Sequence, residues 1–514
     1  MPKSKKIIKK ERKENLKEFK SIEKEGNVST SIQEIKTPSI YAIKESDVLG
    51  RYLASTRYIE AGEIVIEKEK PLVIGPVQQS KPLCLGCYTS IDDINKFRCE
   101  KCSWPICQSS CTGLYKDYGH TLEECLTLSK TSFDSEFQHD HENIYNFIVP
   151  LRCLLLKNIS KEKWKILTSM ESHNKIRKEI KNIWEINEKT VVNKLQKYFN
   201  TEEIHTICGV LEVNCFEVTK NDISLRALFP LSCLMSHNCV QNTTHTNDDK
   251  FKLQIRASIP IRKDQPITGT AKRRAHIKET KFFDCTCDRC SDSSELGSNL
   301  STVVCPKCNH PTLMSSAPLN QHASWICNYK RCTRNSVCHS YVDNLVMKFQ
   351  EELKIIPEND IVSYENWIKK ALISFHENHY LIVGVKYTLC LLYGKIPGFM
   401  IQEMNDDLLR RKINICEELL KIADVLEPGL SRLRGIILYE LHAPKMMVLS
   451  RKYEKQVTSK KQLKYSLLRI IFYLKEASNI LKFEDENTME GKLAYAANQA
   501  LLETHRWEKI IGKL

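Results

Sequence analysis

No stretch of the chain is both long and uncharged. The most apolar segment, 381–394, is broken by Lys386 and is too short to cross a bilayer, which excludes a helical membrane span. The N-terminus is Lys-rich and lacks the apolar run of a secretory signal, so an intracellular, reducing compartment is expected. There the 22 cysteines serve metal sites rather than disulfides. A concentrated basic surface is missing too. Of the net +14 (77 basic against 63 acidic residues), +6 falls in residues 1–24, where ten Lys or Arg face four Glu. The other +8 is thin over the body, so direct nucleic-acid binding is not expected. The basic run 3–13 reads as a solvated tail or a nuclear localisation patch. No strict 34-residue repeat is visible.

What is present is a soluble globular mix, 42% hydrophobic and 27% charged, in 514 residues, enough for three or four domains. Cysteine and histidine dominate its punctuation. Residues 84–125 hold Cys84, Cys87, Cys99, Cys102, Cys107, Cys111, His120 and Cys125 in pairs of tight spacing. Such pairs bite tetrahedral zinc, and eight ligands make two sites. So little apolar content could hardly fold without them. Cys285, Cys287 and Cys290 offer three thiolates, leaving a fourth position for Cys239, which has no cysteine partner nearby in sequence. Cys305, Cys308, Cys327 and Cys332 have zinc-ribbon spacing, with Trp325 as core. Sixteen ligands predict four zinc ions.

Around these clusters the patterning changes along the chain. Residues 50–74 carry short β-rich runs punctuated by Gly62. Residues 143–220 read as helices, with Val191, Val192, Leu195, Tyr198 and Phe199 on one face. The stretch 225–242 turns from apolar to a polar cluster of Ser236, His237, Asn238, Cys239 and Asn242, the mark of a candidate site. Residues 291–302 are Ser-rich and read as a linker. Beyond Val342 the chain is helical. Leu463, Leu467, Ile470, Ile471 and Leu474 form a stripe, and Ser431 stands as N-cap after the connector Glu427-Pro-Gly-Leu. His376 and His379 read as ligands or helix-end packing.

The order of these pieces resembles the SET and MYND domain (SMYD) protein-lysine methyltransferases, and within them the arthropod SMYD-like (SmydA) branch. Ser236-His-Asn-Cys-Val-Gln-Asn242 is similar to the Asn-His-Ser-Cys-x-Pro-Asn segment of SET domains, and Phe282-Phe-Asp-Cys285 to a post-SET segment. The resemblance implies an α+β multidomain protein, a SET β-fold split by two insertions. Its parts are a basic tail (1–38), the first SET part (39–83), a MYND zinc finger (84–125), a helical insert (126–220) and the second SET part (221–276). A post-SET zinc segment (277–291), a linker and zinc ribbon (292–340) and a TPR-like helical domain (341–514) follow. It also pairs the finger's ligands. Cys84, Cys87, Cys107 and Cys111 hold one ion, and Cys99, Cys102, His120 and Cys125 the other.

The implied activity is methyl transfer from S-adenosylmethionine to a protein lysine, with histones among the candidate substrates. By resemblance Arg51, Asn214, Cys215, Ser236, His237 and Phe283 hold the cofactor. His237 and Phe216 serve the reaction, Phe216 as a wall of the lysine channel or as core packing. The finger would bind a proline-rich peptide, with Trp104 lining its groove or filling its core. A monomer in nucleus and cytoplasm is expected. Four positions depart from the family pattern. Tyr52 replaces the second Gly of a Gly-x-Gly turn begun by Gly50, Ser236 replaces an Asn, and Gln241 a Pro. Ala271 stands in a shortened 267–272 loop where the family has Tyr, and no Tyr occurs between Tyr198 and Tyr329. Tyr52, Ser236 and Ala271 carry a rival expectation, an inactive adaptor that recruits partners.

Overall fold

The computed structural model describes residues 39–47, 49–130, 143–220, 223–265, 268–269, 281–333 and 336–513. The 1–38 tail, Ala271 and most of the shortened loop lie outside the described residues.

Ordered structure opens with an antiparallel hairpin, β1 (Tyr41–Ser46) and β2 (Gly50–Ser55). Gly50 has φ +65°, the left-handed conformation a glycine adopts without strain. β3 (Ile64–Glu69) and β4 (Val73–Pro76) find their partners far downstream. β4 pairs with β6 (Ile223–Leu228), which pairs with β5 (Cys215–Lys220). β3 pairs with β9 (Leu253–Ala257), itself paired with β8 (Thr243–Asn247). Short parallel strands β7 (Ser236–His237) and β10 (Thr268–Gly269) lie together. In β9 the sequence Leu-Gln-Ile-Arg-Ala alternates buried and half-buried, the period-two pattern of a strand with one face on the core. Leu225, Ala227, Leu228, Phe229, Leu253, Ile255 and Ala257 have no exposed surface and form its centre.

Helices fill the two long excursions. α1 (Leu122–Leu128) is capped by Thr121, whose side chain accepts from Glu124 N. α2 (Ile148–Ile159) is buried from Ile148 through Leu156, so it is apolar on all sides apart from Arg152. α3 (Lys161–Thr168), α4 (Asn174–Glu179) and α5 (Lys181–Asn187) lead to α6 (Thr201–Asn214), whose N-cap Asn200 accepts from Glu202 N and Glu203 N. α7 (Asp288–Ser291) follows Cys287.

Residues 291–302 are not the loose linker expected. Glu295, Ser298, Leu300 and Thr302 are buried. Arg289 Nη2 bonds Glu295 Oε2 at 3.0 Å, and Asp292 accepts from Ser294 N and Leu296 N. Serine and aspartate here satisfy turn amides rather than water. The three-stranded β11 (Leu313–Ser315), β12 (Trp325–Cys327), β13 (Ser336–Val337) comes next, with Trp325 buried as expected.

The remainder is helical: α8 (His339–Lys354), α9 (Ile361–Ala371), α10 (Tyr380–Leu392), α11 (Asp406–Leu426), α12 (Arg432–Glu454), α13 (Lys460–Leu481) and α14 (Met489–Lys513). Successive helices from α10 onward pack on one another. The predicted stripe of α13 is buried throughout, and Ser431 accepts from Arg434 N at 3.2 Å as the N-cap of α12. Lys386 survives inside apolar α10 because its Nζ donates to Glu377 O at 2.9 Å and pairs with Glu418. His379 stacks on Phe375 and caps α10, and His376 Nδ1 accepts from Asn378 N, so both histidines act in packing and capping. Gly429 in the α11–α12 connector has φ +78°, and a Cβ there would stand 2.0 Å from Ser258 O. Leu430 N donates to that same oxygen at 2.9 Å. No described helix is long and apolar enough to cross a membrane.

Candidate metal clusters and cofactor site

Four groups of side chains each bring four ligand atoms within 4.8 Å of one another. They are Cys84, Cys87, Cys107 and Cys111; Cys99, Cys102, His120 and Cys125; Cys239, Cys285, Cys287 and Cys290; and Cys305, Cys308, Cys327 and Cys332. The interleaved pairing expected in the finger is the one found. Sulfur separations are 3.7 Å (Cys84–Cys111), 3.4 Å (Cys87–Cys107), 3.6 Å (Cys99–Cys125), 3.4 Å (Cys239–Cys290) and 3.6 Å (Cys308–Cys327). A disulfide needs about 2.05 Å. A tetrahedral ion with bonds of about 2.3 Å sets its sulfurs about 3.8 Å apart. The donor sets therefore fit zinc.

The second finger cluster is wired to the body. His120 Nδ1 lies 2.7 Å from Glu124 Oε1, which fixes the ring and leaves Nε2 to face the cluster, 3.3 Å from Cys102 Sγ. Glu124 is also gripped by Arg152, whose Nη1 donates to Ile74 O at 2.7 Å and Tyr88 Oη at 2.6 Å. Burial pushes the Glu124 carboxyl up, but Arg152 and His120 outweigh it and hold it below the usual range. Trp104 is 1% exposed and packs edge-on against Tyr145 and Phe147. It is core between finger and α2, not the wall of an open groove.

The candidate cofactor residues gather where α6 ends and β5 begins. Asn214 Nδ2 donates to Val210 O at 2.8 Å and to Glu171 O at 3.1 Å. Arg51 Nη2 donates to Ser169 O at 2.9 Å. Two side chains from distant parts of the sequence thus hold one loop, 169–173. Cys215 follows Asn214, its thiol pushed up to about 11 by burial. Phe283, 39% exposed, meets the His237 ring edge-on at 5.7 Å, and His237 Nε2 lies 3.4 Å from Cys239 Sγ. Ser236 Oγ is buried, and among the described residues no group hydrogen-bonds it. The half-exposed Phe283 ring beside His237 suits an aromatic ligand. Tyr52 sits on β2 opposite Lys44. Phe216 meets Phe229 and His245 edge-on, each at 5.8 Å.

Several residues of this neighbourhood carry no sequence signal. Lys281 Nζ donates to Glu212 O at 3.0 Å and Val213 O at 2.7 Å, a cation at the negative end of α6. Phe282 meets His173 at 6.2 Å. Glu69 takes hydrogen bonds from Leu231 N, Ser232 N and Ser232 Oγ, fixing the turn before β7. Only the fold brings these residues together.

A mixed helix-and-sheet body with four clusters able to hold zinc is the class of protein defined so far. No known protein-family profile matches the chain. Among curated proteins, the chain is 25% identical to the SET domain-containing protein SmydA-8, isoform A, of Drosophila melanogaster over 287 residues, 52% of this chain and 59% of that protein. It is 23% identical to the histone-lysine N-methyltransferase ASHR1 of Arabidopsis thaliana over 274 residues, 47% of this chain and 53% of that protein. It is 24% identical to human protein-lysine N-methyltransferase SMYD4 over 141 residues, 25% of this chain and 16% of that protein. The chain thus covers less than two thirds of each. Together the matches support a SMYD-like family for this chain.

Proposed function

We propose that the chain is an S-adenosylmethionine-dependent protein-lysine N-methyltransferase of the SET and MYND class. The observation that carries this reading is the convergence at the end of α6. Arg51 and Asn214 hold loop 169–173, and Phe283 meets His237 beside the Cys239 cluster. In this reading Arg51, Asn214, Cys215, Ser236, His237 and Phe283 bind the cofactor, which supplies an activated methyl group. Phe216 walls the approach of the lysine. The chain's own contribution is orientation and exclusion of water, since in-line transfer needs a neutral amine aligned with the methyl carbon.

The same reading assigns the parts: a split SET fold, a finger that recruits a proline-rich partner, zinc at all four clusters and a TPR-like helical array. It makes the protein a nuclear and cytoplasmic monomer, with a protein lysine, histones included, as substrate. A second reading, a non-catalytic adaptor, is favoured by Tyr52 on β2, by Ser236 where an amide is expected and by Ala271 in place of the channel Tyr. Calorimetry with S-adenosylmethionine, then transfer of labelled methyl to histones and lysine peptide arrays, separates the two. His237→Ala is the control. Cofactor binding with transfer lost in the control supports the enzyme. No binding at millimolar cofactor supports the adaptor.

A further inference from the structure

His245 is an inward-facing polar ring whose nitrogens take no hydrogen bond among the described residues. On β8, Thr243, His245 and Asn247 oppose Ala257, Ile255 and Leu253 of β9, all without exposed surface, so His245 stands on the interior face. Asn247 fixes β8 against β5, accepting from Thr219 N at 3.4 Å and donating to Thr219 O at 3.1 Å. His245 therefore lies beside Phe216, ring centroids 5.8 Å apart and planes at 86°.

This spot is less tightly closed than the core beside it. His245 and Phe216 both keep accessible surface at inward positions, whereas Phe229 and Ile255 keep none. Among the described residues no group hydrogen-bonds either ring nitrogen of His245. A ring nitrogen in that position is left for water or a ligand to satisfy. Burial, helped by the Arg432 guanidinium on α12, holds His245 down to about 4, so the ring is neutral at physiological pH. Arg432 itself is paired with Glu484 at 2.8 Å. An aromatic wall with a neutral nitrogen acceptor suits an alkylamine. Such surroundings disfavour the ammonium form and leave the free amine, which can donate one N–H and keep its lone pair for reaction.

We propose that His245 and Phe216 line the passage for the substrate's lysine side chain, Phe216 packing on its methylenes and His245 accepting a hydrogen bond from its ε-amino group. The inference rests on the methyltransferase reading and adds to it a substrate-positioning side chain.

The test uses the full zinc-loaded chain with ¹⁵N-labelled histidine and n-butylamine as the lysine side-chain probe at alkaline pH. The His245 ring resonances, assigned by their loss in His245→Phe, should shift saturably, and Phe216→Ala should weaken that binding. In parallel, His245→Phe should lower methyl transfer about tenfold, the effect of losing one hydrogen bond of ordinary strength. Its cofactor affinity should not change, and His245→Asn should recover part of the rate. Cofactor binding with no saturable shift at His245 would sink this inference alone. Absence of cofactor binding in the unmodified chain would sink the methyltransferase reading, and the substrate assignment with it.

Discussion

Arg152 and Glu124 meet in the interior, guanidinium Nη2 3.1 Å from carboxylate Oε1, and Glu124 has no exposed surface at all. The same carboxylate holds His120, so α2 and a finger ligand share one anion. Removing one partner of such a buried pair leaves the other charge uncompensated, a loss of about 3–5 kcal/mol. Losing the orienting partner of a metal-bound imidazole weakens metal affinity about 10–100-fold. Arg152→Met and Glu124→Gln should therefore lower the urea midpoint and speed zinc transfer to a chromogenic chelator. The double variant should recover part of the stability. Wild-type zinc release in both single variants would show that the finger stands apart from α2.

The purified chain should carry four zinc ions, one for each cluster. Cys239→Ser should reduce the count by one. Chelation should disorder residues 84–125 first, because the finger has little apolar core beyond its own thiols. Elemental analysis giving two ions or fewer in well-folded protein would overturn the assignment.

Cofactor affinity should depend on the arm that carries Phe283. Phe283→Ala removes the ring beside His237, and Lys281→Met removes the cation that ties the arm to the end of α6. Each should cost on the order of 1 kcal/mol, a several-fold loss in calorimetry. Lys281→Arg should keep most of the affinity.

Methyl transfer by the unmodified chain should be slow compared with that of a SET enzyme possessing the channel Tyr, because Ala271 offers no hydroxyl to orient the amine. A misplacement of about 1 Å can cost on the order of a hundredfold. Ala271→Tyr alone should restore little in so short a loop, whereas grafting a full-length loop across 267–272 should restore transfer. Rapid turnover by the native sequence would show that the hydroxyl is dispensable here.

Stability should fall on the acid side through His245. Its folded pKa of about 4 lies below the unfolded value of about 6.5, so the unfolded chain binds the extra proton first. This contribution is fully present above about pH 6.5 and is lost as pH falls toward 4. The urea midpoint of wild type should fall relative to that of His245→Phe over that window. Parallel profiles would contradict a neutral, inward ring.

Local chemistry was the legible part of the sequence. Paired cysteines two or three residues apart announce their own geometry, and the stripe of α13 announces its buried face. Trp104 was ambiguous because a tryptophan in a small finger suits a groove or a core equally. Tyr145 and Phe147, supplied by a distant segment, make it core. Residues 291–302 misled because serine and aspartate look the same whether they solvate a linker or satisfy packed turns. Ser169, Glu171 and His173 could not be found by spacing, since what defines them is contact with Arg51, Asn214 and Phe282 across long loops.

Gly429 has a mechanical consequence. Its backbone lies so close to Ser258 that no side chain fits between them, and Leu430 bonds the same oxygen. On the neighbouring strand position Arg256 lies over the Phe483 ring, 4.3 Å from its centroid. The joint between α11 and α12 is therefore welded to the end of β9 and cannot serve as an elbow. Heat or denaturant that parts this connector from the end of β9 must break both contacts.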